Sequence, residues 1–207
     1  MFITFEGGEG AGKSTLMERL YEALRARGNA VLKTRAPGGT RAGEMMRALL
    51  LNKEGVSLVP RAELLLFLAD RAQHVAEVIA PALKRGEIVL CDRYNDSTIA
   101  YQGIARGLGE EETKKLCRFA TDGLEPDLTF YLDLDPAIGL KRLEQAKNGK
   151  DRIEAEKLSF HEKIRAAFHQ IATKEKTRFR ILDASKTSDQ VFTHAMEVID
   201  ALLASSR

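Results

Sequence analysis

The run Gly7-Gly8-Glu9-Gly10-Ala11-Gly12-Lys13-Ser14 sets two glycines, Gly7 and Gly12, with four residues between them and follows the second with lysine and a hydroxyl. This is the phosphate-loop pattern G-x-x-x-x-G-K-[ST] without a mismatch. Its glycines let backbone N–H groups converge on phosphate oxygens free of Cβ clashes. Lys13 adds a point charge toward the outer phosphates, and the Ser14 hydroxyl suits Mg²⁺. A chance glycine-rich turn would lack the right neighbours. Here Phe2–Phe5 reads as a buried strand, and Leu16, Leu20, Ala23 and Leu24 recur at helical spacing. Strand, loop and helix N-terminus together make an anion site.

Other residues of chemical interest follow at intervals. Asp92 and Arg93 come after the apolar run Ile88–Cys91. A carboxylate there can order Mg²⁺ or a metal-bound water, and the adjacent guanidinium can grip a phosphate bidentately. The alternative is a structural Asp–Arg pair. Arg35 heads Ala36-Pro37-Gly38-Gly39-Thr40, either a shaped cationic loop or a turn with a solvated arginine. Phe67 and Arg71 are four apart on one helix face. They could stack on a nucleobase and bond its carbonyl edge, or be a core phenylalanine beside a surface arginine. Ser97, Thr98, Tyr101 and Gln102 offer hydroxyls, a phenol and an amide. The basic stretch Lys147-Asn148-Gly149-Lys150-Asp151-Arg152 is a solvated loop or a flap that closes over phosphates and excludes water.

The elements that must position these groups alternate along the chain. Strands are expected at Phe2–Phe5, Ala30–Thr34, Glu87–Cys91, Leu128–Asp133 and Phe179–Asp183. Helices are expected at Ser14–Arg27, Thr40–Leu51, Ala62–Lys84, Glu110–Thr121, Pro136–Gln145, Glu154–Lys174 and Ser188–Ser205. Such alternation predicts an α/β fold with a parallel sheet covered by helices on both faces. Ligands in such sheets sit beyond the carboxyl ends of the strands, where the candidate residues fall. The 207 residues suit one domain, and an apolar fraction of 44% supplies a core. A net charge of only +2 argues against a general nucleic-acid or membrane surface. Cys91 and Cys117 form no metal or disulfide pattern, which suits a reducing cytoplasm. No apolar span is long enough to cross a membrane, and a strand beginning at Phe2 leaves no room for a signal peptide.

In order and spacing these stations resemble thymidylate kinase of the bacterial type, a P-loop nucleoside monophosphate kinase family, over nearly the whole chain. The markers are Phe5-Glu6-Gly7 before the loop, Thr34-Arg35 with Pro37-Gly38-Gly39-Thr40, Phe67 with Arg71, and Asp92-Arg93-Tyr94. Further ones are Ser97-Thr98 with Ala100-Tyr101-Gln102-Gly103, Pro126-Asp127-Leu128-Thr129 before Tyr131-Leu132-Asp133, and Asp151-Arg152-Ile153-Glu154. The resemblance implies a three-layer P-loop fold with a five-stranded parallel sheet and a short lid at about 146–153. It implies in-line phosphoryl transfer from Mg·ATP to dTMP, giving dTDP. ATP would be bound by Gly7, Gly8, Glu9, Gly10, Ala11, Gly12, Lys13, Ser14 and Thr15 with Arg142. The metal would be held by Ser14 and ordered by Asp92. Phe67 would stack on thymine, Arg71 would bond its carbonyl edge, and Gln102 with Ser97 or Thr98 would complete base recognition. Tyr101 would fill the space of a ribose 2′-hydroxyl, Glu9 would face the 3′-hydroxyl, and Arg35 and Arg93 would hold the acceptor phosphate. Lys13, Asp92 and Arg93 would act in catalysis with a lid cation, Lys147, Lys150 or Arg152. A cytoplasmic homodimer is implied.

Two departures stand out. Ala36 replaces a glutamate of the family loop, and the following Ala36–Pro37 bond is a candidate for the cis form. Gly10 stands where some relatives carry a catalytic arginine, and the lid has lysines where relatives carry arginines, so the lid must supply the missing charge. Other pyrimidine nucleotide or deoxynucleoside kinases, and a non-catalytic nucleotide-binding protein, remain as alternatives. A GTPase does not, because Asn52-Lys53-Glu54-Gly55 breaks the Asn-Lys-x-Asp guanine-reading pattern.

Overall fold

A computed structural model describes residues 1–52, 57–145 and 151–205. The strands are β1 (Phe2–Gly7), β2 (Val31–Arg35), β3 (Ile88–Asp92), β4 (Leu128–Asp133) and β5 (Phe179–Asp183). They form one sheet in the order β2-β3-β1-β4-β5, and every neighbouring pair is parallel. Because β1 is central, the chain must leave it toward one edge and later return to the other side. That reversal opens a crevice at the carboxyl end of β1, where the glycine loop begins.

The sheet is buried on both faces, so its strands read as nearly continuous apolar runs. Ile3, Phe5, Leu90, Leu128, Phe130 and Leu132 face one cluster, which α1 (Lys13–Ala26) and α9 (Ser188–Ser205) complete with Leu16, Leu20, Leu24, Ala195 and Ile199. The alternate residues Phe2, Val89 and Cys91 face the opposite side with Tyr94 and Ile79. Tyr131 faces a third cluster with Phe168 and Phe67. Thr4 and Thr129, buried on adjacent strands, satisfy each other through their hydroxyls at 2.8 Å.

The remaining helices are α2 (Arg41–Leu51), α3 (Pro60–His74), α4 (Ala80–Lys84), α5 (Asn95–Thr98), α6 (Glu110–Ala120), α7 (Pro136–Gln145) and α8 (Leu158–Lys174). Three of these differ from the sequence expectation. The expected helix at Ala62–Lys84 is α3, a wider π turn at Val75–Ile79, then α4. Pro81 cannot donate to the carbonyl of Glu77, and the wide turn relieves that crowding. α8 begins at Leu158 rather than Glu154, because the Asp151 carboxylate accepts from the N–H groups of Ile153 and Glu154, at 2.8 Å each, and holds a separate turn. The segment from α5 through a π helix at Ile99–Ala105 is helical, although its sequence shows no amphipathic stripe. It is buried from Asn95 to Gly103, polar residues included, so there is no solvent face to produce one.

Candidate active site

The phosphate loop leaves β1 at Gly7, whose φ is +140°. A Cβ there would lie 2.6 Å from the Leu132 carbonyl oxygen of β4, so only glycine lets the strand end turn over its neighbour. Gly10 has φ +66°, and a Cβ on it would lie 2.2 Å from the carbonyl oxygen of Gly139 in α7. A side chain at position 10, arginine included, is therefore incompatible with α7 in this place. Lys13 at the start of α1 is buried, and its Nζ donates to the carbonyls of Gly8 at 2.8 Å and Gly7 at 3.2 Å. Burial and the neighbouring Arg93 pull its pKa down.

At the end of β3 the pairing of Phe5 with Asp92 brings the second phosphate element beside the first. Ser14 Oγ donates to Asp92 Oδ2 at 3.1 Å. Asp92 Oδ1 is buried and has no hydrogen-bond partner. An unpartnered carboxylate oxygen next to a hydroxyl fits a hard cation that takes most of its other ligands from water and phosphate. Among the described residues there is no cluster of three metal-ligating side chains.

Arg93 adopts φ +68°, a left-handed conformation that costs a non-glycine residue energy. It turns the guanidinium back over the loop. Nη1 donates to the Gly7 carbonyl at 3.0 Å and to Ser97 Oγ at 3.1 Å, and Nη2 donates to Glu9 Oε1 at 2.5 Å. Tyr101 also donates to Glu9 Oε1, at 2.8 Å. Burial would raise the Glu9 carboxyl, but Arg93 and Lys13 outweigh it and hold the pKa at about 2. Beneath them Glu6 is fully buried. It accepts from the Tyr94 N–H at 2.7 Å and from Ser97 Oγ, and burial with Asp96 nearby pushes its pKa up to about 7.

Beyond β2 the Ala36–Pro37 bond is cis. The loop is pinned from α3, where Asp70 Oδ1 accepts from the Gly38 N–H at 2.8 Å and His74 Nε2 lies 2.7 Å from Thr34 Oγ1. Arg35 pairs with Glu44 of α2 through Nη2, at 3.1 and 3.2 Å. Phe67 and Arg71 share one wall of the site. Arg71 is buried, its Nη1 donates to Asn95 Oδ1 at 3.0 Å, and its Nε has no partner. Its charge lies 4.7 Å from the centre of the Tyr94 ring.

These elements surround one cavity of about 660 Å³, the size of a small-ligand site. Its lining brings together the loop from Glu9 to Thr15 with Arg35, Phe67, Arg71, Asp92, Arg93, Ser97, Thr98, Tyr101, Gln102 and Arg142. Gly7 and Gly8 contribute carbonyls to Lys13 rather than surface to the cavity. Arg152 is not on the wall. Its Nε donates to the Leu50 carbonyl at 2.8 Å and its Nη2 to Glu63. The candidate lid cations Lys147 and Lys150 lie outside the described residues. Sequence reading missed Arg47, which lines the cavity and donates to the Pro37 carbonyl at 2.8 Å. It carries no motif, and only the fold of the cis-proline loop against α2 brings it in. Glu63 and Asn95 were missed for the same reason, since each acts through a side chain distant in sequence.

The site can hold a triphosphate on one side, with a carboxylate and hydroxyl for its cation. On the other it can hold a planar ring beside Phe67 with an anion near Arg35 and Arg93. The thymidylate kinase family profile matches residues 5–195. The thymidylate kinase of Solidesulfovibrio magneticus is 50% identical over 209 residues, covering 98% of this chain and 100% of that protein. That of Geobacillus thermodenitrificans is 46% identical over 207 residues, covering 100% of this chain and 92% of its own. The crystal structure of thymidylate kinase from Ehrlichia chaffeensis superposes with a TM-score of 0.77 at 34% identity, covering 96% of this chain and 98% of that one. From the glycine loop to the fifth strand, the chain belongs to the thymidylate kinase family.

Proposed function

We infer that this protein transfers the γ-phosphoryl group of ATP to dTMP, giving ADP and dTDP. The observation that carries this reading is one cavity whose lining holds both the phosphate loop from Glu9 to Thr15 and Phe67, Arg71, Arg93 and Gln102. The phosphate loop with Lys13, Thr15 and Arg142 takes ATP. Arg35 and Arg93 take the acceptor phosphate, and Glu9 and Tyr101 lie against the sugar, where the phenol disfavours a ribose. Ser14 and Asp92 would hold Mg²⁺, which when bound neutralises charge on the transferring phosphates. The protein groups do no covalent chemistry. They align acceptor and donor and stabilise charge that spreads over the migrating group. Lys147 or Lys150 supplies the lid cation in this reading, and Arg152 positions the lid's root through Glu63.

The test is an acceptor panel of dTMP, dUMP, dCMP, dGMP and AMP with Mg·ATP. ADP formation that is fast with dTMP and slow with the purines is the expected result; equal rates with AMP would overturn it. Phe67→Ala should raise the KM for dTMP about tenfold or more, because stacking on an aromatic ring is worth ~1–3 kcal/mol per base. An unchanged KM would mean that Phe67 only packs.

The homodimer is part of this reading, and α2, α3 and α6, of which α3 packs against both others, offer a face for it. Met45, Leu65 and Phe119 are 69%, 61% and 88% exposed, and a second copy would cover them. Sedimentation at micromolar concentration should give twice the 23.0 kDa chain mass; a monomer there would refute it. Among the described residues no helix is long and apolar enough to cross a membrane.

A further inference from the structure

Glu63 sits in the first turn of α3, on the helical stripe that continues through Phe67 and Arg71 at four-residue steps. It is 1% exposed, yet it touches no phosphate and is not on the cavity wall. Its two oxygens are fully used. Oε1 accepts from Gln102 Nε2 at 2.9 Å and from Arg106 Nε at 3.1 Å. Oε2 accepts from Arg152 Nη2 and, at 3.4 Å, from Arg106 Nη2. Burial would raise this carboxyl, but these partners hold its pKa below the usual range. Glu63 is therefore an anion that only accepts hydrogen bonds.

That has a consequence for Gln102, which lines the cavity. A primary amide has one donor end and one acceptor end. A carboxylate can be faced only by the donor end, so the Gln102 carbonyl oxygen is the end left for a ligand. Arg71 lines the same cavity and has an unpartnered Nε–H to donate. The two residues thus offer a ligand in that cavity one acceptor and one donor. A thymine or uracil edge, with its N3–H and its O4, matches that pairing. A cytosine edge, with a bare N3 and an N4 amino group, opposes it at both positions.

We propose that Glu63 determines base specificity without touching the base, by locking the Gln102 amide in the one orientation that reads a 4-oxo pyrimidine. It is a positioning residue, and the proposal rests on the reading above that Gln102 faces the acceptor base. The polarity argument gives a specific reversal. In Glu63→Gln, Arg106 and Arg152 compete for the single carbonyl oxygen of the new amide, so its NH₂ turns toward Gln102. Gln102 must then accept, and its own NH₂ swings into the cavity.

The experiment measures kcat/KM with Mg·ATP for dTMP and for dCMP. Glu63→Gln should lower the dTMP-to-dCMP ratio about tenfold or more, since a mispaired buried polar group costs ~1–3 kcal/mol. An unchanged ratio overturns the proposal. Arg106→Gln removes an ion pair but keeps the carboxylate, and should leave the ratio as in the wild type; a shift equal to that of Glu63→Gln would mean that Glu63 acts only through packing, and overturns it too. Gln102→Leu separates the two layers. If it leaves the ratio intact, the base-facing reading of Gln102 fails. If it lowers the ratio while Glu63→Gln does not, only the orienting role fails. Should Glu63→Gln not fold, the combination with Arg106→Met removes one unneutralised guanidinium and carries the same expectation.

Discussion

Lys13→Ala should reduce turnover of ATP with dTMP by ~10³-fold or more while leaving the thermal transition within a few degrees of the wild type. The size follows from the kind of transition state. A phosphoryl group in flight spreads negative charge over its oxygens, and preorganised positive groups provide most of the stabilisation; single such groups are worth ~10²–10⁵ in rate. Lys13 is already immobilised by the Gly7 and Gly8 carbonyls, so little ordering remains to be done when the nucleotide arrives. The Gly7 carbonyl keeps its bond from Arg93 Nη1, and the space Lys13 vacates opens to the cavity it lines, so water can reach the Gly8 carbonyl; the fold should therefore survive. Single-turnover rates with saturating Mg·ATP would check this. Turnover within tenfold of the wild type would remove Lys13 from the chemistry.

Arg93→Met should cost stability as well as activity, and the two should separate in a double variant. Arg93 and Glu9 pair at 2.5 Å with side chains only 17% and 16% exposed. Removing one partner strands the other, at about 3 kcal/mol. Adding Glu9→Gln takes away the stranded charge, and the neutral amide can still accept from Tyr101, so most of the lost stability should return. Activity should not return if Arg93 holds the acceptor phosphate as proposed, because its guanidinium is still missing. Denaturant midpoints and kcat/KM for dTMP, measured on both variants, decide the matter. Recovery of activity in the double variant would make Arg93 a structural residue. The pair also carries a pH signature. Glu9 has a folded pKa of about 2 against an ordinary 4.5, so its contribution is complete above 4.5 and is lost as the pH falls toward 2. Acid unfolding of Arg93→Met should lack that component.

The fold was legible because its punctuation is local. Each strand is a short apolar run, and Gly28 and Gly86 end helices just before β2 and β3. The phosphate loop was legible because its glycines, lysine and hydroxyl are contiguous in sequence, so one short motif carries the whole signal. The base-reading wall was harder. Phe67 and Arg71 share a helix face, but Ser97 to Gln102 sit on a helix whose every side is buried, and such a helix has no periodic signature. Glu63, Asn95 and Arg47 could not be found at all, since each matters through a partner 10 to 39 residues away that only the fold brings close. Arg152 is a different case: its place in the chain suggests a phosphate contact, and in the structure its guanidinium is bonded to Glu63 and the Leu50 carbonyl.

The two glycines at 10 and 139 meet backbone to backbone. A Cβ on Gly139 would lie 2.1 Å from the Glu9 carbonyl oxygen, just as one on Gly10 would collide with Gly139. Neither position can drift while the other stays, so the pair behaves as a single inherited character. An arginine at position 10 cannot be accommodated unless Pro136–Gln145 first moves away. Any substitution at either glycine is therefore a two-site event, tolerated only with a matching shift of the other backbone.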